Sequence, residues 1–301
     1  MRRMHADLLL LMMAAIWGLA FVFQKTAMTD IGPLTFIAAR CALATAALAP
    51  FAWYESRRAS APLIGGVGSF TRIISMSGLM FFLGAYFQQA GLITASVSNT
   101  GFLTALYVVF VPLIAWGWHR IAPSPIIWPA AALSVAGTWL LSGGGALSGL
   151  SHGDMLVALS AVFWAAHVVT TGIGARAGRP VLFTCLQFMV VGVLGLFGSI
   201  LLETTTLAAL QRAAPSIVYV GLLSSALAFT ILTMALRHAP PAEASILVST
   251  EVLFAALAGA VLLGERLTPA GYAGAGMIML AALAIQIAPH VLAKRALSRG
   301  M

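Results

Sequence analysis

Residues 7–27, DLLLLMMAAIWGLAFVFQKTA, and residues 154–174, DMLVALSAVFWAAHVVTTGIG, decide how the rest of the chain is read. Each is an almost unbroken apolar run opened by an Asp, with a Trp ten positions later. A run of about 20 apolar residues is the length a helix needs to cross the hydrocarbon core of a bilayer. The two runs match at an offset of 147, and the match continues: Pro33 falls on Pro180, Phe36 on Phe183 and Ala95 on Ala242. The frame then slips to 144, pairing Ser124-Pro125 with Thr268-Pro269. Arg2 and Arg3 before the first run could mark a signal sequence. Its counterpart at 154 stands mid-chain, where no signal sequence can, so the first run reads as a structural helix.

Outward from this pair, ten such runs appear: 7–27, 33–54, 72–92, 96–118, 125–142, 154–174, 180–202, 215–236, 241–263 and 268–288. Of the 301 residues 61% are apolar and 8% charged, and mean hydropathy is +1.00. Those values exclude an ordinary soluble domain, which is roughly a quarter charged, and a disordered chain. Period-2 alternation is absent, which excludes barrel strands. The fold class expected is an all-α membrane protein of ten transmembrane helices. The net charge of +8 is spread thinly between apolar runs rather than gathered on one face, so no nucleic-acid partner is indicated.

The same charges orient the chain. With the N-terminus cytoplasmic, twelve Lys/Arg fall inside (residues 2, 3, 57, 58, 72, 120, 176, 179, 237, 294, 295 and 299), against Lys25, Arg212 and Arg266 outside. The positive-inside rule then places both termini in the cytoplasm. Each copy of the repeat holds five spans, an odd number, so the second enters the bilayer inverted. The expected organisation is a first repeat at 1–142, an external linker at 143–153, a second repeat at 154–288 and a basic cytoplasmic tail at 289–301. Inverted repeats are a construction of secondary transporters, with the substrate site near the midplane between the halves. That step is by analogy, since fold alone does not prove function.

Trp17-Gly18, the stretch AFVFQK at 20–25, FLTALYVVFVP at 102–112 and LLGERLTP at 262–269 resemble the EamA-type members of the drug/metabolite transporter (DMT) superfamily, in its amino-acid and metabolite exporter branch. The resemblance covers nearly the whole chain. It implies an exporter of small metabolites, amino acids or amphiphilic drugs that works by alternating access without ATP hydrolysis. Such a protein is expected in the bacterial cytoplasmic (inner) membrane. Val252 follows Glu251 where many of the family carry Pro, which puts the family's local helix break in question.

Polar and aromatic groups inside the spans are the candidate site. Met13, Trp17, Phe21 and Gln24 share one helical face, and Ser160, Trp164, His167 and Thr171 share the equivalent face of the second copy. They form two aromatic walls on a central cavity, or else pack between helices. Tyr86 and Gln89 on the third span, and Asn99 and Tyr107 on the fourth, extend the candidate set, with Asn99 open to the alternative of helix glue. His167 is the only histidine deep in a span. Glu251 is the costliest residue, because an ionised acid at mid-bilayer is penalised by roughly 2.5 kcal/mol or more. Arg40 is a candidate partner by depth, so Glu251 reads either as a structural charge or as a group coupling transport to protons. Lys25 lies near an outer end, where snorkelling to the headgroups would suffice.

Cys41 and Cys185 are not at equivalent positions, so neither a disulfide nor a metal pair is expected. No P-loop, HExxH or GxSxG occurs, and no catalytic residue or cofactor is indicated. The leading reading is a secondary transporter of small organic solutes, with apolar or aromatic amino acids foremost. An uncoupled channel or facilitator would use the same bundle. A transporter of sugar phosphates or nucleotide sugars would need several cations in the cavity, and only Arg40 is clearly within a span.

Overall fold

The computed structural model describes residues 3–59, 63–120, 122–141, 151–263 and 268–299. The expected linker up to residue 150, together with Arg2 and Arg266, lies outside the described residues. The described chain is helical: α1 (Arg3–Ala27), α2 (Pro33–Arg58), α3 (Gly66–Leu92), α4 (Val97–Ala105), α5 (Tyr107–His119), α6 (Ile127–Leu141) and α7 (His152–Ala175) are followed by α8 (Pro180–Leu202) and α9 (Leu207–Val218). A π-helical stretch, Tyr219–Ala228, carries α9 into α10 (Phe229–Ala235), and α11 (Pro241–Val248), α12 (Glu251–Leu263) and α13 (Pro269–Arg299) complete the chain. Eight stretches are long and apolar enough to cross a bilayer, and Ile127–Leu141 and Pro269–Ile285 are shorter apolar helices.

Local sequence sets the helix starts. Pro33, Pro180 and Pro241 open α2, α8 and α11, where a missing N–H costs nothing and φ is already helical. Ser151 and Asp154 form a capping box: the Asp154 N–H donates to Ser151 Oγ at 3.1 Å, and the Ser151 N–H donates to Asp154 Oδ2 at 2.9 Å. Two helices begin earlier than their apolar runs, α3 at Gly66 and α9 at Leu207. A hydropathic run marks what lies in hydrocarbon, whereas the helix runs on to its own stop signals, Gly65 at φ 82° and the capping Thr206.

The ninth run is not one helix. Ser249 and Thr250 interrupt it between α11 and α12, although Val252 leaves no Pro there. Their hydroxyls turn back onto Ile246 O at 2.7 Å and Leu247 O at 2.6 Å, and Ser249 Oγ also meets Ser134 Oγ at 2.8 Å. Side-chain bonds of this kind compete with the helical ladder and satisfy polar groups at a break. The fourth run is broken at Leu106, 144 positions earlier than Thr250.

The helices pair α2 with α8, α3 with α7 and α6 with α13, while α1 lies against α12 and the α9–α10 segment. Glycines permit the closest approaches. A Cβ on Gly18 would stand 2.5 Å from Glu251 O and 2.7 Å from Ala255 N, and one on Gly137 would stand 2.6 Å from Gly274 O. In lipid, where apolar surface gains nothing by leaving water, such close packing is a main source of helix association.

The α2/α8 pair is fastened at both ends by the same device. Glu203, just past α8, accepts the N–H groups of Leu34 at 2.9 Å and Thr35 at 2.8 Å, plus the Thr35 hydroxyl at 2.7 Å. Glu55, near the end of α2, accepts the N–H groups of Leu182 at 2.8 Å and Val181 at 3.4 Å. Each carboxylate thus sits on the free N–H groups and positive dipole end of the other helix, which requires the two helices to run antiparallel. Replacing Glu203 by Ala strands the N–H groups of α2 and is expected to cost about 1–3 kcal/mol. Melting of the purified protein in detergent should therefore fall further for Glu203→Ala than for Glu55→Ala, which holds two bonds rather than three, one of them at 3.4 Å.

Candidate functional site

The charges and aromatics that are costly in hydrocarbon converge on one cavity, enclosing about 640 Å³ of unfilled space with its mouth included. α1 contributes Trp17, Phe21 and Gln24, α7 contributes Trp164 and His167, and Phe229 from α10 lies between the two tryptophans. Its ring centroid is 4.5 Å from Trp17 and 6.1 Å from Trp164. Phe81 closes the cluster behind, edge-on to Trp164 at 5.0 Å and to His167 at 5.2 Å. Gly84 leaves room for this arrangement, because a Cβ there would come within 3.1 Å of the Trp164 ring.

The two tryptophans hold different bonds. Trp17 Nε1 donates to Ser224 O at 3.1 Å. Ser224 lies where the π stretch returns to the α register, the Phe229 N–H bonding Ser225 O, and such a change of register leaves a carbonyl without its helical partner. The indole of Trp164 has no partner for Nε1. His167 Nε2 stands 3.2 Å from Gln187 Oε1 and 3.1 Å from Thr171 Oγ1, and Ser77 Oγ donates to the same Gln187 oxygen at 3.1 Å.

Glu251 begins α12 and Tyr107 begins α5, so both sit at the interruptions of the broken runs and both face the cavity. Tyr107 lies against Glu251, yet its hydroxyl closes no regular hydrogen bond. Arg40 lines the same cavity with its guanidinium over the rings of Phe81 at 5.4 Å and Phe36 at 5.7 Å, and Nε has no partner. Among the described residues Arg40 and Glu251 form no ion pair, so the pairing considered from depth alone is not present.

Of the sequence candidates, Trp17, Phe21, Gln24, Arg40, Tyr107, Trp164, His167 and Glu251 line the cavity. Gln89 does not. It lies behind Gln24, donating to its amide oxygen, while its neighbour Gln88 lines the cavity and donates to Thr104 Oγ1 at 2.9 Å. Tyr86 stacks with Phe82 outside the cavity, centroids 6.3 Å apart. Asn99 donates to Asp154 Oδ1 at 3.2 Å and ties α4 to the start of α7, the glue role. Lys25 does not snorkel. Its ammonium bonds the carbonyls of Leu92 at 2.5 Å, Ala95 at 3.0 Å and Ile93 at 3.3 Å, capping the end of α3. Sequence reasoning missed Gln88, Thr104 and Phe229; the offset of 147 linking Phe82 to Phe229 was the one available signal for the last. Among the described residues no group of three or more His, Cys, Asp or Glu could hold a metal ion.

This architecture is that of a membrane transporter, and residues 4–143 and 151–287 each match the EamA-like transporter family. The chain belongs to that family, with its domain present twice. An uncharacterized transporter of Archaeoglobus fulgidus is 27% identical over 291 residues, covering 95% of this chain and 87% of its own. The uncharacterized transporter YwfM of Bacillus subtilis is 24% identical over 293 residues, covering 94% of each. The uncharacterized inner membrane transporter YedA of Escherichia coli is 26% identical over 196 residues, 63% of each chain. A solved crystal structure shares the fold with a TM-score of 0.76 at 16% identity, covering 95% of this chain and 98% of its own.

The unequal bonding of the two indoles has a measurable consequence. Trp17→Phe removes a made hydrogen bond and leaves Ser224 O unpaired, a loss of about 0.5–1.5 kcal/mol. Trp164→Phe removes only an unmatched donor. Thermal melts of the two variants should show the larger fall for Trp17→Phe, and equal falls would contradict the assignment.

Proposed function

We propose that the protein is a secondary transporter that exports small organic metabolites, foremost apolar or aromatic amino acids and amphiphilic compounds, by alternating access between two inverted five-helix repeats. On this reading the chain crosses the bacterial inner membrane ten times with both termini cytoplasmic, and the repeats at 1–142 and 154–288 rock about the cavity between them. The observation that carries it is the cavity itself. Trp17 and Trp164, 147 positions apart, meet through Phe229 in a chamber that also holds one unpaired cation and one acid. Aromatic walls suit an apolar side chain, and two separated opposite charges suit a zwitterionic head. The single cation gives little hold on a phosphorylated sugar.

Glu251 is the candidate coupling group. It faces Tyr107 from α5 and shares the cavity with Arg40 and His167. An acid there couples export to proton entry if the inward-open and outward-open states hydrate it differently.

The experiment is flux into and out of liposomes carrying the full chain, with a panel of labelled amino acids, with and without a pH gradient. Uphill accumulation driven by the gradient is the expected result, and flux that only equilibrates marks an uncoupled facilitator. Trp17→Ala and Trp164→Ala are each expected to lower flux roughly tenfold or more, the scale of losing an aromatic contact face. Glu251→Gln keeps the shape but cannot release a proton, so it should retain downhill flux and lose accumulation. Unaltered accumulation with unaltered pH dependence would make Glu251 structural.

A further inference from the structure

Among the described residues, the cavity is bordered by hydrogen-bond donors that the protein leaves without an acceptor. Arg40 is 3% exposed, and its neighbours are two aromatic rings and the Cys41 thiol. Among the described residues no carboxylate pairs with it and its Nε has no acceptor. Trp164 Nε1, on another helix, likewise lacks an acceptor among the described residues, and Trp164 lines the same space, whereas the Tyr107 hydroxyl lies against Glu251. Buried polar groups are ordinarily satisfied, so donors left open around one void call for an explanation. Ring contacts alone return much less than it costs to keep a guanidinium in hydrocarbon.

Packing does not demand the cation. The position equivalent to Arg40 in the second repeat is Gln187, 147 residues on, and its side-chain oxygen is already engaged by Ser77 and His167. The same place in the same fold is thus filled by a neutral residue whose oxygen is used within the protein, with only its Nε2 left unpartnered among the described residues. The first repeat instead carries a guanidinium that lines the cavity with its Nε unpartnered among the described residues. An acceptor-only group with two oxygens is the complement of a guanidinium, and an indole N–H bordering the same cavity is a second donor that suits a carboxylate.

We propose that the cavity holds its ligand by a carboxylate seated on Arg40, with Trp164 Nε1 as a further donor, and that this acid group rather than the amine is what the transporter requires. The proposal deepens the reading of this cavity as the transport site and rests on it. It also widens the ligand class from zwitterions to aromatic monocarboxylates, for which one buried cation suffices.

The test uses the purified full chain and four probes that differ only at the head group: L-phenylalanine, 3-phenylpropanoate, L-phenylalaninamide and 2-phenylethylamine. Binding is read as the ligand-induced shift in melting temperature and as competition in the liposome flux assay. The two acids are expected to bind at least about tenfold more tightly than the amide and the amine, the scale of a lost charge-assisted pair. Arg40→Gln, which copies the residue of the other repeat, should erase that preference. Arg40→Lys should fall between. The proposal is overturned if wild type binds the amide or the amine as tightly as the acids, or if a folded Arg40→Gln keeps the acid preference. If Arg40→Gln does not fold, the wild-type panel and Arg40→Lys decide alone. If none of the four probes binds or competes, the amino-acid reading and this proposal both fall, whereas equal binding of all four removes only the proposal.

Discussion

Hydrocarbon offers no hydrogen bonds, so every polar group within the membrane must find its partner inside the protein or border a space where something else can supply one. Most of this molecule follows from that rule. Thr184 meets Thr233 at 2.9 Å, Ser134 meets Ser249, Gln88 meets Thr104, and the carbonyls at the end of α3 are taken by Lys25. The groups left over are informative because they are few and because several of them surround one cavity. On the proposed reading, the unpartnered indole of Trp164 is where the ligand's own polar atoms belong.

The second governing feature is the duplicated construction. Broken helices at Leu106 and Ser249–Thr250 bring Tyr107 and Glu251 to the same chamber, and interrupted helices open backbone and side chains to a cavity without exposing them to lipid. The duplication is inexact where it matters. Trp17 and Trp164 are the same residue with different bonding, and Arg40 and Gln187 are different residues in the same place. The shared parts build the bundle, and the divergent parts give the cavity its polarity.

Much of this was legible in the sequence, for a physical reason. Trp17, Trp164, Arg40 and Glu251 stand out because their cost in lipid is high and their depth can be counted from helix ends. What could not be read was azimuth. Gln88 and Gln89 differ by about 100° around α3, and only the packing of α3 on α7 decides which one faces inward. Asn99 was misjudged because the joint at Leu106 rotates α4 against α5, so residues on one continuous stripe in an ideal helix no longer share a direction. The family's break in the ninth run rests on a Pro that position 252 lacks here; the Ser249 and Thr250 hydroxyls do the same work. The acids at the membrane edges, Glu55 and Glu203, carry no signal of depth, since a charge near a helix end costs little; they are 148 positions apart and fasten the α2/α8 pair.

That pair of clasps bears on how such a chain arises. A contact in which one unit's tail grips the other's head, twice over, is the self-complementary interface of a two-fold dimer carried within a single polypeptide. In an assembly of identical subunits every substitution appears on both sides of the axis, so the centre would hold two guanidinium groups or none. Joining the units end to end lifts that restriction. One copy could then keep an arginine at 40 while the other settled for glutamine at 187, which leaves the cavity a single guanidinium that an identical pair could not hold alone.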